Sequence, residues 1–245
     1  MIVGIIPARY ASTRFPGKAL IDINGKSMIQ RVYEQAALSK VLHNIYVATD
    51  DERIFKHVSA FGGNVLMTAL EHPSGTDRCQ DAIKQLGDEY KYIINIQGDE
   101  PFIHPNQIDE LAAILKDNSV EIATQMIPVN HHTLLFDKGE VKIVLNDKSE
   151  ALYFSRMVIP FIKGIKENEW HNYHTYYRHV GMYAYRRDIL EKITQLPVSS
   201  LEKAESLEQL RWVENGFKIK CVITNYESHC IDTPEDIEKI LKMVM

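Results

Sequence analysis

Four short apolar runs rich in β-branched residues recur through the first hundred positions: Ile2 to Ile6, Ile45 to Ala48, Val65 to Met67 and Tyr92 to Ile96. Continuous rather than alternating hydrophobicity is what a strand covered on both faces carries, so each run predicts a buried strand. Between them the spacing is helical. Met28, Ile29, Val32, Ala36 and Ala37 share a stripe behind a Ser27/Gln30 capping-box pair, which predicts a helix from Met28 to Leu38. Ile54, Phe55, Val58 and Phe61 do the same for Asp51 to Phe61, with Gly62-Gly63 as a stop signal. Strands and helices in alternation predict an α/β fold with a mostly parallel sheet, whose ligands bind at the carboxyl ends of the strands.

After about residue 118 the pattern changes. Glu121 to Val129, Val141 to Leu145 and Val180 to Tyr185 are longer strand-like stretches that predict antiparallel pairing, in a subregion at about 120–185 suited to a dimer surface. Helices are expected at about 202–214 and 235–244, with a strand at about 217–224. No internal repeat divides the chain, so a single domain over 1–245 is expected. Lys163 to Tyr177 mixes charge, His, Trp and Tyr without a period and is the candidate for a mobile lid.

With 245 residues, 45% apolar and 25% charged, the chain can bury a core, and disorder is excluded. A balance of 28 basic and 33 acidic residues argues against nucleic acid as a whole-surface partner, so anion recognition must be local. Cys79, Cys221 and Cys230 form neither a C-x-x-C pair nor an even set, which argues against a disulfide framework and fits a reducing cytoplasm. The N-terminus lacks the features of a signal peptide, and no apolar run approaches the roughly 20 residues that span a bilayer, so a cytoplasmic protein without membrane insertion is expected.

The loop after the first strand is the local exception to the acidic balance. Arg9, Arg14 and Lys18 lie there without an acid, in a backbone shaped by Pro7, Pro16 and Gly17. Two arginines and a lysine suit a polyanion such as a nucleoside triphosphate; a solvated basic loop paired with surface acids is the plainer reading. Gly25-Lys26-Ser27 imitates the end of a P-loop, but the required first glycine would be residue 20, which is Leu20. Asn24-Gly25 instead predicts a tight turn and Ser27 a helix cap.

Asn95 to Pro101 places Gln97, Gly98, Asp99 and Glu100 at the end of a buried strand. Gly98 would let a ligand approach the backbone, and Asp99 could hold Mg2+ or cap the helix that begins near Pro105. In Ile231 to Asp236, Thr233, Pro234 and Asp236 read as a helix start, which leaves Asp232 as a second metal ligand or a plain loop acid. The pairs His131-His132 and His171/His174 lack the H-E-x-x-H arrangement of a zinc site. His179, after Arg178 and before a strand, could project toward a substrate.

Seven stretches, in order along nearly the whole chain, resemble the 3-deoxy-manno-octulosonate cytidylyltransferase (CMP-Kdo synthetase) family. They are P-A-R-Y-A-S-T-R-F-P-G-K at Pro7, H-P-S-G-T-D-R at His72, N-I-Q-G-D-E-P at Asn95, A-L-Y-F-S-R at Ala151, R-H-V-G-M-Y at Arg178, L-E-Q-L-R at Leu207 and I-D-T-P-E-D at Ile231. The resemblance implies a Rossmann-like, three-layer nucleotidyltransferase fold and a homodimer. It also implies a reaction in which CTP and Kdo give CMP-Kdo and diphosphate for lipopolysaccharide assembly. Transfer to an 8-amino Kdo analogue or a sialic acid is the alternative within the superfamily, and a silent nucleotide-binding domain the alternative outside catalysis. By the same resemblance Arg9, Arg14 and Lys18 neutralise the triphosphate, and Ser12, Ser74, Gly75, Arg78 and Gln97 surround the nucleotide. Asp99 and Asp232 would bind Mg2+, and Gln97, Arg156, His179, Tyr183, Glu208 and Gln209 contact the sugar acid. Ala19 stands where the family commonly has proline, and Glu227 to Cys230 where many members carry small residues.

Overall fold

The structure is a computed structural model that describes residues 1–11, 15–227, 230–231 and 233–244, without the side chains of 239, 240 and 242–244. Two compact units are present, one formed by 1–113 with 226–245, the other by 114–225.

The first unit contains β1 (Ile2–Ala8), the hairpin β2 (Asp22–Ile23) and β3 (Lys26–Ser27), α1 (Met28–Ala37), β4 (Asn44–Thr49), α2 (Glu52–Ala60), β5 (Val65–Met67), α3 (Gly75–Lys84), β6 (Tyr92–Asn95) and α4 (Pro105–Ala113). Its main strands run in the order β6-β1-β4-β5, all parallel. Val3, Ile5, Ile6, Val47, Ala48, Ile93 and Ile94 are wholly buried, as continuous hydrophobicity requires of strands covered on both faces. Asn24 and Gly25, with φ of 50° and 81°, make the predicted turn.

Caps set the helix starts. Ser27 accepts from Gln30 N at 3.2 Å and opens α1. The expected reciprocal half of that box is not made, because the Gln30 side chain turns forward to Glu34 Oε1 at 2.9 Å. Asp51 caps α2 and Ser74 caps α3. Gly62, at φ 82°, stops α2 as expected.

The second unit contains β7 (Ile122–Val129), α5 (His132–Phe136), β8 (Lys142–Leu145), β9 (Ala151–Ser155), β10 (Tyr176–Arg186), α6 (Arg187–Thr194), α7 (Ser200–Glu205), α8 (Gln209–Glu214) and β11 (Ile219–Ile223). Antiparallel pairing joins β7 to β10, β10 to β8 and β8 to β9, while β11 lies parallel to β7. The chain then returns to the first unit for α9 (Pro234–Val244), where Asp236 Oδ2 accepts from Thr233 N at 2.9 Å.

One expectation needs correction. The helix expected at about 202–214 is broken into α7 and α8, because Ser206 adopts a left-handed conformation at φ 54°. The stretch from Lys163 to Tyr177 is anchored at the buried Trp170 and Tyr176, while most of its other residues are exposed. Trp170, 4% exposed, joins Val129, Leu135 and Tyr176 in a core cluster, and its Nε1 donates to Ile165 O at 3.0 Å.

Candidate active site

In the first unit, β1 and β6 run parallel side by side, so the loops that follow them emerge at one edge of the sheet. Lys18 and Asp99 come from those loops, 81 positions apart, and their Nζ and Oδ2 lie 2.7 Å apart. Both side chains are partly open, at 19% and 25% exposure. A third segment joins them: Lys18 Nζ donates to Ile231 O at 3.4 Å, and Ile231 N donates to Asp99 O at 2.9 Å. Ile231 is wholly buried with Ile23 and Met28, against which Phe15, Ile21 and Phe102 pack, so an apolar floor supports the charged pair.

Arg9 follows β1, is exposed, and makes no hydrogen bond or ion pair among the described residues. Ser12, Arg14 and Asp232 lie outside the described residues. Gly98 is where the expectation changes. A Cβ there would meet Pro7 O at 2.8 Å, so the close approach the glycine permits is to the backbone of β1 rather than to a ligand. That contact presses the loop bearing Asp99 onto the start of the cationic loop. Gln97, beside it, is half-buried.

Ser74 accepts from Asp77 N at 3.1 Å and donates to Asp77 Oδ2 at 2.6 Å. Gly75, the next residue, brings the start of α3 against Pro7, where a Cβ would lie 3.2 Å from Cγ. Arg78 is 3% exposed, and its Nη1 reaches Thr68 Oγ1 at 2.5 Å, Ala69 O at 3.3 Å and Asp50 Oδ1 at 3.4 Å. Burial lowers the Arg78 pKa, Asp50 opposes that shift, and Arg9 adds to it. Arg78 is thus an internal anchor, and the capping signature Ser74-x-x-Asp77 was the legible sign of this helix start.

The second unit gathers the other group. The register of β10 against β7 shifts between Val180 and Tyr183, and the His179 and Tyr183 rings lie 5.2 Å apart. Thr124 Oγ1 is 2.9 Å from His179 Nε2, and Phe154 lies edge-on to the imidazole at 5.4 Å. Burial pushes the His179 pKa down to about 3, so the ring works as a neutral hydrogen-bonding group at physiological pH. The Tyr183 hydroxyl is likewise held neutral by burial, and its ring meets Trp212 of α8 at 5.2 Å. Glu208 precedes α8 and the buried Gln209 begins it, so this aromatic contact sets their place beside β10.

Arg156 follows β9. Its Nε donates to Glu205 O at 2.9 Å, its backbone N to Glu205 Oε2 at 3.0 Å and its Nη1 to Lys138 O at 3.3 Å. Lys142, missed in the sequence, is fully buried and donates to the carbonyls of Asp137 and Glu140 at 2.7 and 2.5 Å, with its pKa lowered by burial. It lies in an otherwise ordinary strand pattern, so only burial reveals it. The paired histidines are local: His131 caps α5, and His132 lies 4.9 Å from His131 and 6.4 Å from His171. Burial pushes the Cys221 thiol up to about 12, which leaves no thiolate nucleophile there. Among the described residues no three His, Cys, Asp or Glu converge as a metal cluster, and no helix is long and apolar enough to cross a membrane.

A cytidylyltransferase family model matches residues 3–219. The chain belongs to the cytidylyltransferase family. A 3-deoxy-manno-octulosonate cytidylyltransferase of Parabacteroides distasonis is 57% identical over 98% of this chain and 96% of its own length. An 8-amino-3,8-dideoxy-manno-octulosonate cytidylyltransferase of Shewanella halifaxensis is 48% identical over 95% of this chain and 94% of its own. A solved CMP:2-keto-3-deoxy-manno-octonic acid synthetase complexed with CTP is 40% identical, covers 99% of this chain and 97% of its own, and superimposes with a TM-score of 0.90. The α/β nucleotidyltransferase fold expected of this family member is the one observed.

The pH dependence of stability follows from His179. An unfolded histidine titrates near 6.5, whereas the folded one stays neutral to about pH 3, so between those values the unfolded state binds the extra proton. Stability contributed by neutral His179 is therefore intact above pH 6.5 and falls as the pH drops toward 3, by up to about 1.4 kcal/mol per pH unit. Urea unfolding of the parent and His179→Asn at pH 7 and pH 5 is expected to show the smaller acid loss in the variant; equal losses would count against the assignment.

Proposed function

We propose that the protein is a nucleotidyltransferase that activates 3-deoxy-D-manno-octulosonate (Kdo) with CTP, giving CMP-Kdo and diphosphate for lipopolysaccharide assembly. The observation that carries this reading is the tie of Lys18 to Asp99 and Ile231, which joins three loops of the first unit around one cation in a member of this family. Kdo is preferred over its 8-amino analogue on the higher identity to the relative named for Kdo.

The anomeric hydroxyl of the sugar acid attacks the α-phosphorus, a new P–O bond forms, the bond to the β-phosphate breaks, and diphosphate leaves. Arg9, Arg14 and Lys18 spread the charge that builds on the phosphate oxygens, so positioning and electrostatics carry most of the acceleration. Arg78 and Ser74 keep the start of α3 in place beside the nucleotide. Arg156 supplies the cation for the sugar carboxylate, while neutral His179 with Tyr183, Glu208, Gln209 and Gln97 satisfies hydroxyl groups.

Mg2+ belongs to this reading. A hard-oxygen site needs one or two carboxylates plus substrate phosphates, and Asp99 suits it because Lys18 engages only Oδ2. Asp99, with Asp232, would hold the ion, which when bound lowers the pKa of the attacking hydroxyl and neutralises the α-phosphate. Action as a homodimer in the cytoplasm completes the proposal. Exposed Leu134, Phe136, Leu152, Met157 and Phe161 on the second unit support pairing of two copies.

The test is release of diphosphate from CTP with Mg2+ and a panel of Kdo, its 8-amino analogue and a sialic acid. Kdo is expected to give the highest kcat/KM. Preference for another sugar would move the substrate assignment, and no release with any would leave a nucleotide-binding domain.

A further inference from the structure

Tyr10 and Gly17 flank the cationic loop and are tied twice. Gly17 N donates to Tyr10 O at 2.8 Å. A Cβ at position 17 would lie 3.1 to 3.2 Å from Cζ, Cε2 and Oη of Tyr10, so the ring rests on the glycine. With φ at 73°, Gly17 also holds a conformation that other residues adopt only with strain.

A third residue bears on the same ring. The Arg53 guanidinium carbon is 3.3 Å from the Tyr10 ring centroid. Arg53 is held in turn by Asp51, with Nε to Oδ1 at 2.9 Å and Nη2 to Oδ2 at 2.6 Å. Asp51 also accepts from Arg53 N at 2.8 Å as the cap of α2, a helix anchored by the buried Ile54 and Val58. The fork of two bonds neutralises the guanidinium and fixes its plane, leaving its face for the aromatic ring. The contacts thus run from α2 through Asp51 and Arg53 to Tyr10, beside Arg9, and to Gly17, beside Lys18.

We infer that Arg53 is a positioning residue for the phosphate-binding loop, acting through Tyr10 to hold the two ends of the loop together. Arg9 and Lys18 then meet a nucleoside triphosphate without the binding energy being spent on ordering the chain that carries them. Arg53 itself does not touch the nucleotide. The inference rests on the loop being the CTP site, as in the proposed function.

Two measurements test it, one with nucleotide and one without. In steady-state kinetics, Arg53→Ala and Tyr10→Ala are expected to lower kcat/KM for CTP by about three- to ten-fold, with KM for the sugar acid unchanged. Tyr10→Phe keeps the parent value, since the ring makes the contacts. Arg53→Lys follows Arg53→Ala, because lysine keeps the charge and lacks the plane and the fork. The double variant Tyr10→Ala/Arg53→Ala is no worse than the weaker single. Additive losses, or parent kinetics in Arg53→Lys, would overturn the inference.

In the nucleotide-free protein, hydrogen exchange at the Gly17 amide is expected to speed up in Arg53→Ala and Tyr10→Ala and to stay as in the parent in Tyr10→Phe. Unchanged exchange in the alanine variants overturns the latch whatever the kinetics show. A parent that neither binds nor turns over CTP overturns the functional reading instead, and the Gly17 amide still decides the latch.

Discussion

Lys18→Ala is expected to lower kcat/KM by about 30- to 1,000-fold, the loss of roughly 2 to 4 kcal/mol of transition-state stabilisation that removal of one charge donor brings. Lys18 sits where two loops and the segment before α9 meet, and its ammonium is the described cation that all three share. The cost in stability should be far smaller. The Lys18–Asp99 pair is partly exposed, and such pairs contribute at most about 1 kcal/mol. That contrast decides between a catalytic and a structural role, so turnover and the urea midpoint are to be measured on the same variant. Asp99→Ala is expected to behave alike even in excess Mg2+. Activity of Lys18→Ala within about threefold of the parent, or near-normal turnover of Asp99→Ala, would remove the pair from the mechanism.

Arg211→Ala is expected to be the most destabilising single change in the second unit, at about 3 to 5 kcal/mol. Arg211 Nε and Nη2 donate to Glu202 Oε2 and Oε1 at 2.7 and 2.6 Å, with side-chain exposures of only 7% and 13%. Nη1 also reaches Leu196 O at 3.2 Å, and Glu202 closes a capping box with Ser199 at the start of α7. Removing the arginine strands a desolvated carboxylate, which costs more than the pair was worth. Replacing both partners, as in Arg211→Met with Glu202→Leu, should recover much of the loss. Because α8 begins with Gln209 after Glu208, the single variant should also raise KM for the sugar acid. A loss under about 1 kcal/mol by urea unfolding would mean that the pair is solvated in solution.

Local signals read well where one short stretch holds all the physics. The four apolar runs became β1, β4, β5 and β6, and Asn24-Gly25 made its turn. Ser27 and Asp51 supplied the backbone caps that their side chains allow. The same logic reached the site, because a βαβ series puts the loops after β1 and β6 at one edge. It stopped short at the break between α7 and α8, where the helical spacing of apolar residues continues across Ser206 and only its positive φ interrupts the helix. It also left Trp170 unmarked as a core residue, because the polar stretch around it carries no period.

By itself, the sequence determined the element types of the first unit, the cationic loop, the acid at the end of β6 and the family, since each is written in contiguous residues. The tertiary structure decided which of those residues act on one another. Lys18 meets Asp99 from 81 positions away and Ile231 from 213. Gly98 is pressed to Pro7, Arg78 is turned inward, and His179 is stripped of its proton. Pair distances and burial depend on how distant segments pack, and a carboxylate, a guanidinium or an imidazole takes its charge state and its role from that packing.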